Sequence, residues 1–112
     1  KLKSMIDAEN LSGKKVIGYG ASARSSTMLN FCGINHTHLT CIADQNPLKH
    51  SRYTPGTDVL IVSPEEALKQ KPDTVVILAW NFKDEIIEDL RDKGFKGNVI
   101  IPLPNIPYLL EV

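Results

Sequence analysis

Gly18, Gly20 and Ala23 form the pattern G-x-G-x-x-A, which follows the apolar pair Val16-Ile17 and is followed by Arg24 and a run of hydroxyl side chains. A buried strand that enters such a turn and continues as a helix brings backbone N–H groups and a helix N-terminus against an anion. In that reading Gly18 permits the tight turn, Gly20 admits a phosphate close to the backbone, and Ala23 lets the helix pack near the sheet. Ala21, Ser22 and Arg24 would then meet the phosphate. The same pattern also describes a strand-to-helix turn that binds nothing.

Other residues extend this chemistry. Asp44 lies 24 positions after Gly20, near the offset at which a dinucleotide-binding domain sets an acid on a ribose hydroxyl. It reads equally as a loop-capping Asp ahead of Asn46-Pro47. Arg24 falls in the first helical turn, where a cation opposes the helix dipole unless an anion shares the site. Ser22, Ser25, Ser26 and Thr27 supply hydroxyls, some of which must cap the helix. Lys49, Arg52 and Tyr53, in the polar loop 46–56, are candidates for phosphate or sugar contacts, or are simply solvated. Trp80 is either core or a platform for a ring, and Asn81 reads as a helix cap.

The spacing supplies no Ser-His-Asp or Cys-His arrangement and no evident acid–base pair of carboxylates, so no catalytic residue is assigned. His36, His38 and His50 read as surface positions in loops. Cys32, His36, His38 and Cys41 offer zinc-compatible side chains, but C-x3-H-x-H-x2-C matches no common zinc spacing. No metal site is assigned, and the two cysteines read as free buried thiols.

These residues need a scaffold, and 112 residues with 42% apolar and 23% charged side chains suit one globular domain. Thirteen basic and thirteen acidic side chains balance to a formal charge of zero, which gives no support for a nucleic-acid or membrane-surface partner. No apolar run approaches the roughly 20 residues of a membrane span, and residues 1–15 carry no signal-peptide core. A cytoplasmic setting is expected. The chain begins at Lys1, which suggests a piece of a longer protein.

Leu2, Met5 and Ile6 predict a lead-in helix over 2–10. The spacing then predicts a strand at 15–19, a helix at 22–32 with Ala23, Thr27, Met28 and Phe31 facing the core, and a strand at 39–44. A short strand at 58–62 precedes a helix that Ser63, Pro64 and Glu66 begin as N-cap, first residue and capping box. The unbroken apolar run 74–79 implies a central strand buried on both faces. A helix follows with Phe82, Ile86, Ile87 and Leu90 inward and Gly94 at its end, then a strand at 98–101. The order β-α-β-β-α-β-α-β predicts an α/β, Rossmann-like three-layer sandwich with a parallel five-stranded sheet in the order 3-2-1-4-5. Within the single domain 1–112, residues 1–13 form a lead-in, 14–104 the core and 105–112 a tail. Ligands of such sheets bind where the strand order reverses, beyond the strands' C-terminal ends. There the glycine turn, the 44–56 loop and Trp80-Asn81-Phe82 converge.

Three segments together carry a resemblance: GYGASARSSTMLNFCGI (18–34), IADQNPLKHSRYTPGTDVLIVSPEE (42–66) and VVILAWNF (75–82). They are similar to the C-terminal domain of bacterial S-adenosylmethionine-dependent C-methyltransferases acting on nucleotide-linked sugars. That domain shows GYGA-x-A-x-x-x-T-x-LN-x-x-G, then D-x-NP-x-K with a following PG, then AWN. The resemblance covers roughly residues 14–104 and departs from the family's frequent Pro, Lys or Gly choices at Ser22, Arg24, Ser25 and Ser26. It implies a three-part parent enzyme in which a zinc-binding domain and a catalytic methyltransferase domain precede this one. By implication the parent, not this chain, holds S-adenosylmethionine and the catalytic residues.

The expectation is therefore a substrate-binding or structural domain whose partners are a nucleotide-linked sugar and the methyltransferase domain of the same parent chain, with no cofactor of its own. Gly18, Gly20, Ala21, Ser22 and Arg24 would meet the diphosphate, and Asp44, Lys49, Tyr53, Trp80 and Asn81 would line the pocket. Two alternatives stand beside it. One is a freestanding NAD- or coenzyme A-binding module. The other is a purely structural domain that docks through an apolar face, to which the 106–110 tail could belong, unless it is core packing.

Overall fold

The computed structural model describes residues 1–104 and 106–112. Its elements are α1 (Leu2–Leu11), β1 (Val16–Tyr19), α2 (Ala23–Cys32), β2 (Ile42–Ala43), β3 (Ile61–Val62), α3 (Pro64–Lys69), β4 (Thr74–Ile77), α4 (Lys83–Asp92), β5 (Asn98–Ile101) and β6 (Tyr108–Glu111). Short 3-10 turns stand at Pro47–Lys49 and Trp80–Phe82. The six strands form one sheet in the order β3-β2-β1-β4-β5-β6, parallel except for the antiparallel β5–β6 pair. This is the Rossmann-like order 3-2-1-4-5 with one strand added. Among the described residues no helix is long and apolar enough to cross a membrane.

The period-2 alternation of strand side chains divides the core into two layers. Val16, Val76, Leu78 and Ile100 pack with Leu2 and Ile6 of α1 and Leu29 of α2 on one face. Ile17, Tyr19, Val75, Ile77 and Val99 pack with Ala67 of α3 and Ile86 and Leu90 of α4 on the other. Ser63 caps α3 by accepting from Glu66 N–H at 3.1 Å, and Gly94, at φ +85°, follows α4 as the spacing predicts.

Several expectations are corrected. The 105–112 tail is mostly a strand: Tyr108–Glu111 pairs with Asn98–Ile101, from Asn98↔Glu111 to Ile101↔Tyr108, because the proline-rich stretch from Pro102 to Pro107 reverses the chain; residue 105 itself lies outside the described residues. The inward stripe of α2 is Ser25 and Leu29, with Met28 and Cys32 partly packed, whereas Ala23, Thr27 and Phe31 face outward. The strand expected from residue 58 starts only at Ile61. Asp58 sits at φ +57° in a turn that Thr54 organises, its Oγ1 accepting from Val59 N–H at 2.9 Å. Likewise β2 is shorter than the 39–44 run, although Leu39 and Cys41 are buried. Phe82 is half exposed rather than inward. Asn81 does not cap α4: it lies within the 3-10 turn, whose backbone closes on itself through Phe82 N–H to Ala79 O at 2.9 Å.

The two glycines of the turn serve the fold in ways the motif does not convey. Gly18 is inside β1, paired with Ile42 and Val76, and a Cβ there would stand 2.9 Å from Leu78 Cδ1. Gly20 adopts φ +100°, and a Cβ on it would lie 2.6 Å from Ala79 Cβ. Gly20→Ala is expected to lower stability by at least about 2 kcal/mol, from overlap plus left-handed backbone strain. A urea midpoint comparison checks this, and adding Ala79→Gly should recover the overlap part but not the backbone part.

Candidate functional site

The ends of β1, β2 and β4 bring the sequence-selected residues to one edge, at the point where strand order reverses. Asp44 directly follows β2, and its carboxylate organises the turn: Oδ2 accepts from Ala21 N–H at 2.7 Å and Oδ1 from Asn46 N–H at 2.8 Å. Lys49 Nζ lies 3.8 Å from the same carboxylate and donates to Ala21 O. His50 Nε2 sits 2.6 Å from Asp44 O, so this histidine is half-buried and engaged rather than free on the surface. His38 is also half-buried, its Nδ1 accepting from Asn35 N–H at 3.0 Å. Asp44 thus holds the glycine turn to the 44–50 loop.

The start of α2 is similarly organised. Ser22 Oγ accepts from Ser25 N–H at 3.1 Å, and the buried Ser25 donates to Gly20 O at 2.8 Å. The N–H groups of Ala23 and Arg24 belong to the first turn and have no intrahelical acceptor. Beside this turn is a cleft of about 200 Å³ lined by Ser22, Ala23, Ser26, Lys49 and Thr54.

A second cleft, about 280 Å³, lies at the switch point itself between Gly20, Asp44, Gln45, Ala79, Phe82 and Glu85. Glu85 was missed by motif reasoning, and Gln45 and Phe82, though inside segments expected to meet here, were not among the selected site residues. The positions of Gln45 just after Asp44 and of Phe82 and Glu85 at the start of α4 would have signalled them. Beneath this cleft Tyr19 donates to Asp89 Oδ2 at 2.9 Å and accepts from Gln45 Nε2 at 3.2 Å. Burial and the Asp89 carboxylate raise the Tyr19 phenol above its ordinary range. Burial would raise the Asp89 carboxyl, but hydrogen bonds from Lys93 (2.5 Å) and Tyr19 outweigh it, and Asp89 titrates below its usual value.

The remaining selected residues are more scattered. Trp80 is half-buried against the α3/α4 core, Asn81 is exposed, and Tyr53 is exposed in a bridge to Leu60 and lines neither cleft. Arg24 lies along a groove on the outer face of α2 rather than in either cleft. Cys32 and Cys41 pack into opposite layers, and burial pushes the Cys41 thiol up to about 11. Among the described residues no three His, Cys, Asp or Glu side chains come together as a metal site.

A parallel sheet of order 3-2-1-4-5, a glycine turn into α2 and clefts at the switch point define a Rossmann-type α/β domain. The solved structure of UDP-D-quinovosamine 4-dehydrogenase from Vibrio fischeri shares that fold, with a TM-score of 0.55 and 24% identity over 88% of this chain and 93% of that one. Residues 1–104 match the family described as C-methyltransferase C-terminal domain, and the chain belongs to that family. It is 35% identical over 107 residues to the C-methyltransferase NovU of Streptomyces niveus, covering 93% of this chain. The chain spans about a quarter of the length of that relative.

The depressed Asp89 carboxyl contributes stability that is present above the ordinary value of 3.8 and is lost as pH falls below it. Asp89→Asn is therefore expected to be less stable at pH 7 by roughly 1–2 kcal/mol, with the gap to wild type narrowing as pH falls below 3.8. Urea unfolding at both pH values measures it.

Proposed function

We propose that this chain is the substrate-holding C-terminal domain of an S-adenosylmethionine-dependent C-methyltransferase acting on a nucleotide-linked sugar in the cytoplasm. The family match over residues 1–104 carries the reading. The relative's description as a C-methyltransferase supports it, as do the clefts at the switch point.

The diphosphate of the substrate lies at the mouth of α2. In this reading the N–H groups of Ala23 and Arg24, the Ser22 hydroxyl and the Lys49 ammonium meet it, with Gly20, Ala21 and Asp44 behind them. A helix N-terminus with a nearby ammonium suits a phosphate. Gly18 shapes the strand below without touching the ligand. Tyr53, Trp80 and Asn81 border the site at a greater distance.

In this reading S-adenosylmethionine is held by the rest of the parent protein and not by this turn. The acid that would hold a ribose, Asp44, is already engaged by Ala21 N–H, Asn46 N–H and Lys49. The methyl donor and the groups that move protons belong to the rest of the parent protein. The same engagement weighs against a freestanding NAD- or coenzyme A-binding module, because a pyrophosphate inside the turn would need the Ala21 amide.

Amide shifts of the isotope-labelled chain test the reading. Thymidine diphosphate is expected to move the resonances of Gly20 to Arg24 and Asp44, while NAD, coenzyme A and S-adenosylmethionine leave them in place. Lys49→Ala should weaken the diphosphate about tenfold, the loss of one charge-assisted contact. A response to NAD or coenzyme A alone would move the assignment to a cofactor module, and silence toward all four would overturn the site.

A further inference from the structure

On the outer face of α2 an apolar groove of about 580 Å³ runs between Met28, Phe31 and Cys32 on the helix and Pro102, Leu103 and Pro107 on the chain between β5 and β6. It has about twice the volume of the switch-point cleft. Phe31 is 90% exposed. A large aromatic left in water beside other apolar side chains marks an interaction surface rather than scattered surface hydrophobicity. Arg24 stands at the rim and makes no salt bridge among the described residues. Leu2, at the start of α1, also lines the groove.

We infer that this groove seats the methyltransferase portion of the parent polypeptide, through apolar side chains in the groove and a carboxylate on Arg24. The inference rests on the reading above that the chain is one part of a longer enzyme. Two observations point to that occupant. The chain spans about a quarter of the length of the C-methyltransferase it matches, and its family is described as that enzyme's C-terminal domain. And α2 presents Ser22 to the proposed diphosphate site at one end and Phe31 to the groove at the other, so a partner seated here borders the substrate.

Cys32 provides the readout. It is a half-buried free thiol lining the groove, whereas Cys41 is fully buried and serves as an internal control. Alkylation by N-ethylmaleimide, followed peptide by peptide in the full-length methyltransferase and in the 112-residue chain, is expected to be at least tenfold slower at Cys32 in the full-length protein. Phe31→Glu in the full-length protein should restore fast labelling, and Phe31→Leu should not. Because Phe31 is exposed, the glutamate variant of the 112-residue chain should unfold at the wild-type urea midpoint. It should also give the wild-type response to thymidine diphosphate, which separates this inference from the substrate reading. Equal Cys32 rates in the two proteins would overturn the inference. So would protection in the 112-residue chain that grows with its own concentration, which would assign the groove to a second copy.

Discussion

The carboxyl edge of the sheet depends on how closely Gly20 approaches Ala79. Tyr19 O accepts from both Leu78 N–H and Ala79 N–H, so the chain leaving β1 lies directly on the chain leaving β4. Only a residue without Cβ at position 20 allows that approach. The start of α2, the 3-10 turn before α4 and both clefts are placed by this crossing. Glycine is required here by the protein's own backbone, and any ligand benefits from a geometry that the fold already demands.

Asp44 is the second constraint. In a dinucleotide site the turn amides wait for phosphate and the acid waits for ribose. Here the acid has taken one of those amides for itself, and Lys49 compensates its charge. The turn is thereby closed without a ligand, and the amides of Ala23 and Arg24, in the first turn of α2, are the ones left without an intrahelical acceptor. This also accounts for a polar first turn of α2 in which Ser22 and Ser25 satisfy each other and the Gly20 carbonyl. The same residue types that look like a phosphate cradle in sequence act first as internal fasteners.

Strand alternation, the Ser63 cap, Gly94 and the order of strands were legible because each depends on local chemistry or on chain-crossing rules. The convergence of the glycine turn, Asp44 and Lys49 was legible for the same reason. What escaped depends on neighbours distant in sequence. Tyr108–Glu111 reads as a tail because three apolar residues and a glutamate after three prolines have no period to distinguish strand from loop; they become a strand only because β5 offers an open edge. Asn81 has the chemistry of a cap, yet the backbone closes the turn without it. Gln45, Phe82 and Glu85 border a cleft that exists only once β2 and β4 are separated by β1.

The misread face of α2 is the most informative of these differences. Helical spacing put Phe31 inward with Ala23 and Thr27, since apolar residues at i, i+4 and i+8 normally face a core. The sheet instead takes Ser25 and Leu29, four residues apart, and Gly33 ends the helix before a further turn can form. A buried serine in place of an aliphatic side chain is tolerated because its hydroxyl is bonded to Gly20 O and Ser22. The helix is therefore divided along its length, with a polar first turn at the carboxyl edge of the sheet and an aromatic last turn in water. A surface helix with one neighbour gains nothing from keeping phenylalanine exposed, because burying that side chain would contribute about 1.5–3 kcal/mol. Such an exposed aromatic is what the docking inference above is built on, and under that inference the sequence of α2 serves both the sheet beneath it and a partner on its outer face.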